Sequence, residues 1–201
     1  VALTVSLNAA EKLTRYVARP GASVTIDGTS SIHDWTVEGK IVGGYFMVEP
    51  AFVTDLSLKS VASVTTKEMN PKAVISIPIR SLKSGKDAMD RIMQEAMKAE
   101  DNPMIKFTLK EMVVKGDVPA AGTPVKFDVK GDLALSGESK PVEFVLTMER
   151  KPDKMLHFKG EKALKMTDFG IVPPAPKIPG MDMIKTGDDV TIKFTWPVQT
   201  R

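Results

Sequence analysis

From Ser23 onwards most of the chain places apolar residues at every second position, the period of a half-buried strand. Residues 23–27 read as one strand, ended by Gly28. Residues 32–48 form a longer alternating stretch, which Gly43-Gly44 interrupts as a bulge or sharp bend would. Residues 73–79 set Ile75, Ile77 and Ile79 against Ser76, Pro78 and Arg80, and residues 104–114 resume the pattern with Ile105, Phe107 and Leu109. Val125, Phe127, Val129, Gly131, Leu133 and Leu135 alternate with charged positions; a hairpin signal at 137–140 then turns the chain back through Phe144. Residues 154–165 repeat the pattern more weakly, and residues 190–198, with Phe194 and Trp196, make a closing strand. Residues 56–66 are one more candidate strand, with Leu58, Val61 and Val64 irregularly spaced.

One segment has a different period. At about 86–99, Ala88, Ile92 and Ala96 form one i, i+4 row and Met89, Met93 and Met97 the next, a broad helical stripe. The chain is therefore expected to be all-β: an antiparallel up-and-down barrel of about eight strands, with one amphipathic helix inserted as a plug or lid. Ala88, Met89, Ile92, Met93 and Ala96 should face the barrel. Residues 23–201 are expected to form a single barrel domain, preceded by an N-terminal segment at 1–22. The apolar run at 1–7, followed by Asn8-Ala9-Ala10, fits either a signal-peptide remnant or an ordinary leading strand.

Composition narrows the function. The 28 basic and 25 acidic residues leave a net charge of +3, spread along the chain, which makes no nucleic-acid stripe. Without cysteine there is no disulfide or thiolate-metal chemistry, and such a chain suits an oxidising compartment. No apolar run is long enough for a transmembrane helix. His33 and His157 are the only histidines and lack zinc-site spacing. His33 and Asp34, adjacent on a strand, would point to opposite faces, so His33 reads as a structural hydrogen-bonding group or a polar contact at a cavity rim. No nucleophile elbow or phosphate loop is present. Asp188-Asp189 beside Gly187 read as a solvated turn. Four prolines within 172–181 favour an extended loop, either a portal cover or a semi-rigid connection. Neither catalysis nor a cofactor or metal is expected.

Three stretches resemble the YceI-like family: Gly28-Thr29-Ser30-Ser31-Ile32-His33-Asp34-Trp35-Thr36; Ile77-Pro78-Ile79-Arg80-Ser81-Leu82, followed by Met89-Asp90 and Asn102-Pro103-Met104-Ile105-Lys106-Phe107; and the run from Val129 to Gly137, then Lys140-Pro141-Val142. The resemblance runs from about Ser23 to Val198 and looks closest to a branch with a His-Asp-Trp signature. It implies a lipocalin-like barrel with a long apolar cavity for an isoprenoid chain or another amphiphile, in a periplasmic or secreted bacterial protein. The commoner family pattern has a His-Ser entry and a second histidine in the next strand. Here Asp34-Trp35 follow His33 and the second position is unfilled, so ligand identity does not carry over.

The expected partner is one small amphiphile (isoprenoid, quinone or fatty acid), sequestered or carried, with no nucleic acid and no membrane span; a homodimer stays open. Its tail would meet Trp35, Ile75, Ile77, Ile79, Met89, Ile92, Met93, Phe107, Leu109, Phe127, Leu133, Phe144, Phe194 and Trp196. Its head would meet His33, Arg80 and Arg91. The rings alone could instead fill an eight-stranded barrel, giving a structural or protein-interaction module, whereas Gly131 and the slimmer Ile75, Ile77, Val129 and Leu133 favour space.

Overall fold

In the computed structural model, which describes residues 13–65, 71–118, 120–177 and 183–200, ten strands form one antiparallel sheet. They are β1 (Thr14–Ala18), β2 (Ser23–Ser30), β3 (Trp35–Gly39), β4 (Gly43–Val48), β5 (Lys72–Pro78), β6 (Met104–Val114), β7 (Val125–Leu135), β8 (Glu138–Arg150), β9 (Leu156–Lys165) and β10 (Thr186–Thr200). Pairing of β1 with β10 closes a ring of eight, β1-β4-β5-β6-β7-β8-β9-β10. The expected closed barrel of about eight strands is the observed one. The two readings of residues 1–10 lie outside the described residues.

β2 continues from β1 along the same edge of β10, with Tyr16 opposite Thr200 and Ile26 opposite Ile192. β3 returns along β2 and, among the described residues, has no second strand neighbour. The barrel thus has a complete lower end, where β1 and β4 sit, and an upper end with a gap beside β3. β7 turns into β8 through Ser136-Gly137, whose backbones are both left-handed (φ 57° and 87°), as a two-residue hairpin requires. The turn precedes the expected 137–140 because Leu135 already pairs with Glu138. In β6, Lys110 is an extra residue between the pairs Leu109–Gly131 and Glu111–Lys130. This bulge passes the inward face from Leu109 to Met112.

Residues 56–66 hold no described strand. The lower end is closed by α1 (Ala51–Thr54), a turn, and α2 (Ala62–Thr65). Leu58, Val61 and Val64 recur every third residue, a spacing that suits successive turns rather than a pleat, and all three are fully buried. Asp55 pins the turn, accepting from the Ser57 and Ser60 amides, each at 2.8 Å, and from both hydroxyls. The Ser57 hydroxyl first, then the Ser60 groups, hold its carboxyl well below the usual carboxylate range. Directly above this base the barrel is filled mainly by aromatic rings. The Phe46 ring meets Phe52 and Phe158 edge-on at 5.5 and 5.3 Å, and Phe127 and Trp196 are buried beside them.

The helical stripe forms α3 (Asp87–Ala96), shorter than 86–99. Its end is a left-handed Lys98 (φ 51°), after which the Ala99 amide donates to the Gln94 carbonyl instead of continuing the ladder.

Candidate ligand cavity

The upper half of the barrel is hollow. A chamber of about 560 Å³ opens there, walled by β-strand residues such as Ile26, Val37, Ile105, Leu133, Leu164 and Ile192. α3 supplies another wall through Ala88, Met89, Ile92, Met93 and Ala96, the five residues expected to face the barrel. Met89, Ile92, Met93 and Ala96 are only half-buried, although they point inward, because the space before them is unfilled. Below, the rings of Phe46, Phe52, Phe127, Phe158 and Trp196 are almost wholly inaccessible, while those of Phe107, Phe144 and Phe194 are half-buried.

α3 stands where β3 lacks a strand neighbour. The chain leading into it forms a single bridge to β3: the Lys83 amide donates to the Glu38 carbonyl at 2.7 Å and the Glu38 amide to Lys83 at 2.8 Å. Asp90 locks the helix to this bridge. It is buried, accepts from the Ser84 amide and hydroxyl, both at 2.7 Å, and lies 3.4 Å from the Lys83 ammonium. Burial alone would raise its pKa; the Ser84 groups and Lys83 together outweigh that and hold the carboxyl below its ordinary 3.8. A carboxyl held low in the folded state adds stability above its unfolded pKa and loses it as pH falls through the folded value. The lid should therefore loosen on acidification below about pH 4. Asp90→Asn should cost about 1–3 kcal/mol at neutral pH and remove the acid-dependent part contributed here. Hydrogen exchange of the α3 amides against pH measures both; unchanged protection in the variant at neutral pH contradicts the lock.

The mouth is built by the 31–34 turn and by a strap over residues 166–177. β2 ends at Ser30 and β3 starts at Trp35, so His33 and Asp34 lie in a turn, not on opposite faces of a strand. Ser30 holds the His33 carbonyl with its hydroxyl (2.7 Å) and amide (3.1 Å). The His33 ring lies at the chamber mouth, where its Nδ1 donates to the Asp34 carbonyl at 2.7 Å. The Trp35 indole donates to the Thr29 carbonyl at 2.9 Å, fixing its ring in the wall. In the strap, Pro174 and Pro176 line the chamber and accept from the Thr186 (3.3 Å) and Ile184 (3.2 Å) amides. The described part of this loop, residues 172–177, runs along the chamber mouth. Asp188-Asp189 are not a turn: they sit at an irregularity in β10, where the register shifts between Thr186 and Val190. Asp188 ties the strap down by accepting from the Thr167 hydroxyl (2.6 Å) and amide (2.9 Å), and Asp189 lies 3.4 Å from Lys165.

The expected tail and head residues divide into four groups. Trp35, Met89, Ile92, Met93, Leu133 and His33 line the chamber. Ile75, Phe107, Leu109, Phe144, Phe194 and Trp196 surround a second void, of only about 30 Å³, lower in the barrel. Ile79 and Phe127 are fully buried and Ile77 half-buried, all three outside both spaces. Arg80 and Arg91 are exposed and do not line the chamber. The helical period that turns Met89, Ile92 and Met93 inward turns Arg91 outward. Arg80 follows the end of β5 at Pro78, in a 3-10 turn that breaks the alternation. The cations at the mouth are instead Lys86, Lys165 and Lys177. Ile105, Leu135, Leu164, Val190 and Ile192 also line it, and their place in the alternating rows was the signal for them. Met166, Phe169 and Ile171 carry no such signal, because a 3-10 turn and a loop bring them there.

The fold has clear relatives at low identity. BcnA from Burkholderia cenocepacia superposes with a TM-score of 0.63 at 18% identity, over 89% of this chain and 96% of that one. A polyisoprenoid binding domain from Saccharophagus degradans, implicated in plant cell wall breakdown, gives 0.66 at 13% identity, over 94% of this chain and 100% of that one. A mutant of the Campylobacter jejuni YceI protein gives 0.57 at 18% identity, over 82% and 84%. No match was found among curated proteins. Such identities establish the fold alone, but the YceI-like domain model matches residues 25–197. By that match over most of its length, this chain belongs to the YceI-like family.

Proposed function

We infer that the protein binds one isoprenoid or fatty amphiphile, with no chemical step, and sequesters or carries it. The carrying observation is the 560 Å³ chamber, apolar inside, with its polar side chains at the mouth. Burying a tail there is worth roughly 0.8 kcal/mol per CH2. A wholly filled barrel, the structural alternative, is disfavoured by the same void. The name of the Saccharophagus relative, a polyisoprenoid binding domain, supports an apolar ligand of this class. A periplasmic or secreted setting belongs to the reading, and the cysteine-free composition suits it.

The rim favours a negative head group. Lys86, Lys165 (3.4 Å from Asp189), Lys177 and His33 are the titratable residues among those described as lining the chamber, and none of the described lining residues is acidic. These cations are exposed, so their contribution is modest and screened by salt. Palmitic acid should bind about fivefold more tightly than its methyl ester at low ionic strength, a preference that shrinks in high salt. Displacement of a fluorescent naphthylamine probe measures this. Equal binding of acid and ester removes the charged rim from the reading; no uptake of either removes the reading itself.

A further inference from the structure

The lower void is lined by a layer of three rings, which lies one step deeper along the barrel than the strand residues Ile105, Leu133, Leu164 and Ile192 that line the chamber. Phe107 meets Phe144 edge-on at 5.5 Å, and Phe144 meets Phe194 edge-on at 5.8 Å. Two glycines are the sockets for this layer. A Cβ on Gly131 would fall 2.4 Å from the Phe107 ring, and one on Gly160 would fall 2.6 Å from the Phe194 ring. The space that Gly131 vacates is thus filled by a phenyl from the neighbouring strand rather than added to the hollow. Along each strand the layer comes at the same depth. Ile105 lines the chamber and Phe107 the void on β6; Leu133 and Val129 flank Gly131 on β7; Leu164 and Phe158 lie either side of Gly160 on β9; Ile192 precedes Phe194 on β10.

We propose that Phe107, Phe144 and Phe194 form a floor that sets the length of chain the barrel accepts. The inference rests on the amphiphile reading and adds a limit to it. At roughly 30 Å³ per water-sized group, a 560 Å³ chamber holds on the order of 18 carbon centres. That matches a straight chain of about C18, or three to four isoprene units. A longer tail must leave its excess at the mouth, in water, where it adds nothing. Opening the floor joins the chamber to the void of about 30 Å³ below and frees the volume of the ring removed.

The test is displacement of 1-N-phenylnaphthylamine by even-numbered straight-chain carboxylic acids from C10 to C26, on wild type, Phe144→Leu and Phe144→Ala. For wild type, affinity should rise by up to about fourfold per added carbon and level off near C18. In Phe144→Ala the plateau should move about four carbons longer, and in the milder Phe144→Leu about two. Phe144→Leu retains most of the packing and keeps the test valid if Phe144→Ala does not fold. A wild-type affinity still rising beyond about C22, or a plateau at one length in all three proteins, overturns the floor. Failure of wild type to bind any acid overturns the amphiphile reading and the floor with it.

Discussion

The double variant Leu133→Trp/Ile192→Trp should lose amphiphile binding by more than 100-fold while remaining folded. Both residues line the chamber, on β7 and β10, which stand three steps apart around the ring of eight and so nearly face one another. Neither replacement overpacks a core, because the added ring enters empty space rather than a neighbour. Two indoles across the shaft deny the tail its deepest positions. At roughly 0.8 kcal/mol per CH2, four excluded methylenes forfeit about 3 kcal/mol, which is over 100-fold in affinity. The melting temperature should hold or rise, since the indoles bury apolar surface that now faces a void. Retained affinity in a folded variant would move the binding site out of the barrel.

The opposite result is expected one layer below the floor. Phe46→Ala should cost about 3–5 kcal/mol of folding stability and leave amphiphile affinity within about twofold in protein that remains folded. Phe46 is 2% exposed and its ring touches Tyr16, Phe52 and Phe158, at centroid distances of 6.1, 5.5 and 5.3 Å. Removing it leaves a cavity among rings that strands and a closed lower end prevent from collapsing. A typical domain has only 5–15 kcal/mol to lose, so the measurement needs low temperature and a denaturant titration. Together the two variants separate the compartments: one blocks binding with stability intact, the other lowers stability with binding intact. A loss below about 1 kcal/mol in Phe46→Ala would mean that the lower half is loosely packed after all.

That division of the barrel was the part least visible in the sequence. The alternating rows specified the strands and the closed architecture, because a period of two is itself the geometry of a pleat. The apolar stripe of α3 was equally readable, since rows four apart share a helix face. Alternation states only which side of the sheet a residue faces, however, and every inward residue looks the same by that measure. Phe127 and Leu133 belong to one row on β7, yet one is fully buried in the base and the other lines the chamber. Depth along the barrel depends on register between strands, and the extra residue at Lys110 shifts it. Gly131 illustrates the difficulty: in sequence it promises space, and in three dimensions it receives Phe107. The mouth was hidden for another reason. Arg80 and Arg91 attract notice as charges near the helix, but the cations at the chamber are lysines delivered by the approach to α3, the end of β9 and the strap. Residues 56–66 misled through composition, since Leu58, Val61 and Val64 suit a strand by type and a turn by spacing.

The most direct test of a hollow, ligand-holding barrel is native mass spectrometry of wild type and Leu133→Trp/Ile192→Trp, each purified without detergent and then incubated with palmitic acid. The expected result is one retained amphiphile per wild-type chain, removed by organic extraction, and none on the variant. Wild-type protein that carries no amphiphile and takes up none, or equal retention by both proteins, would contradict it.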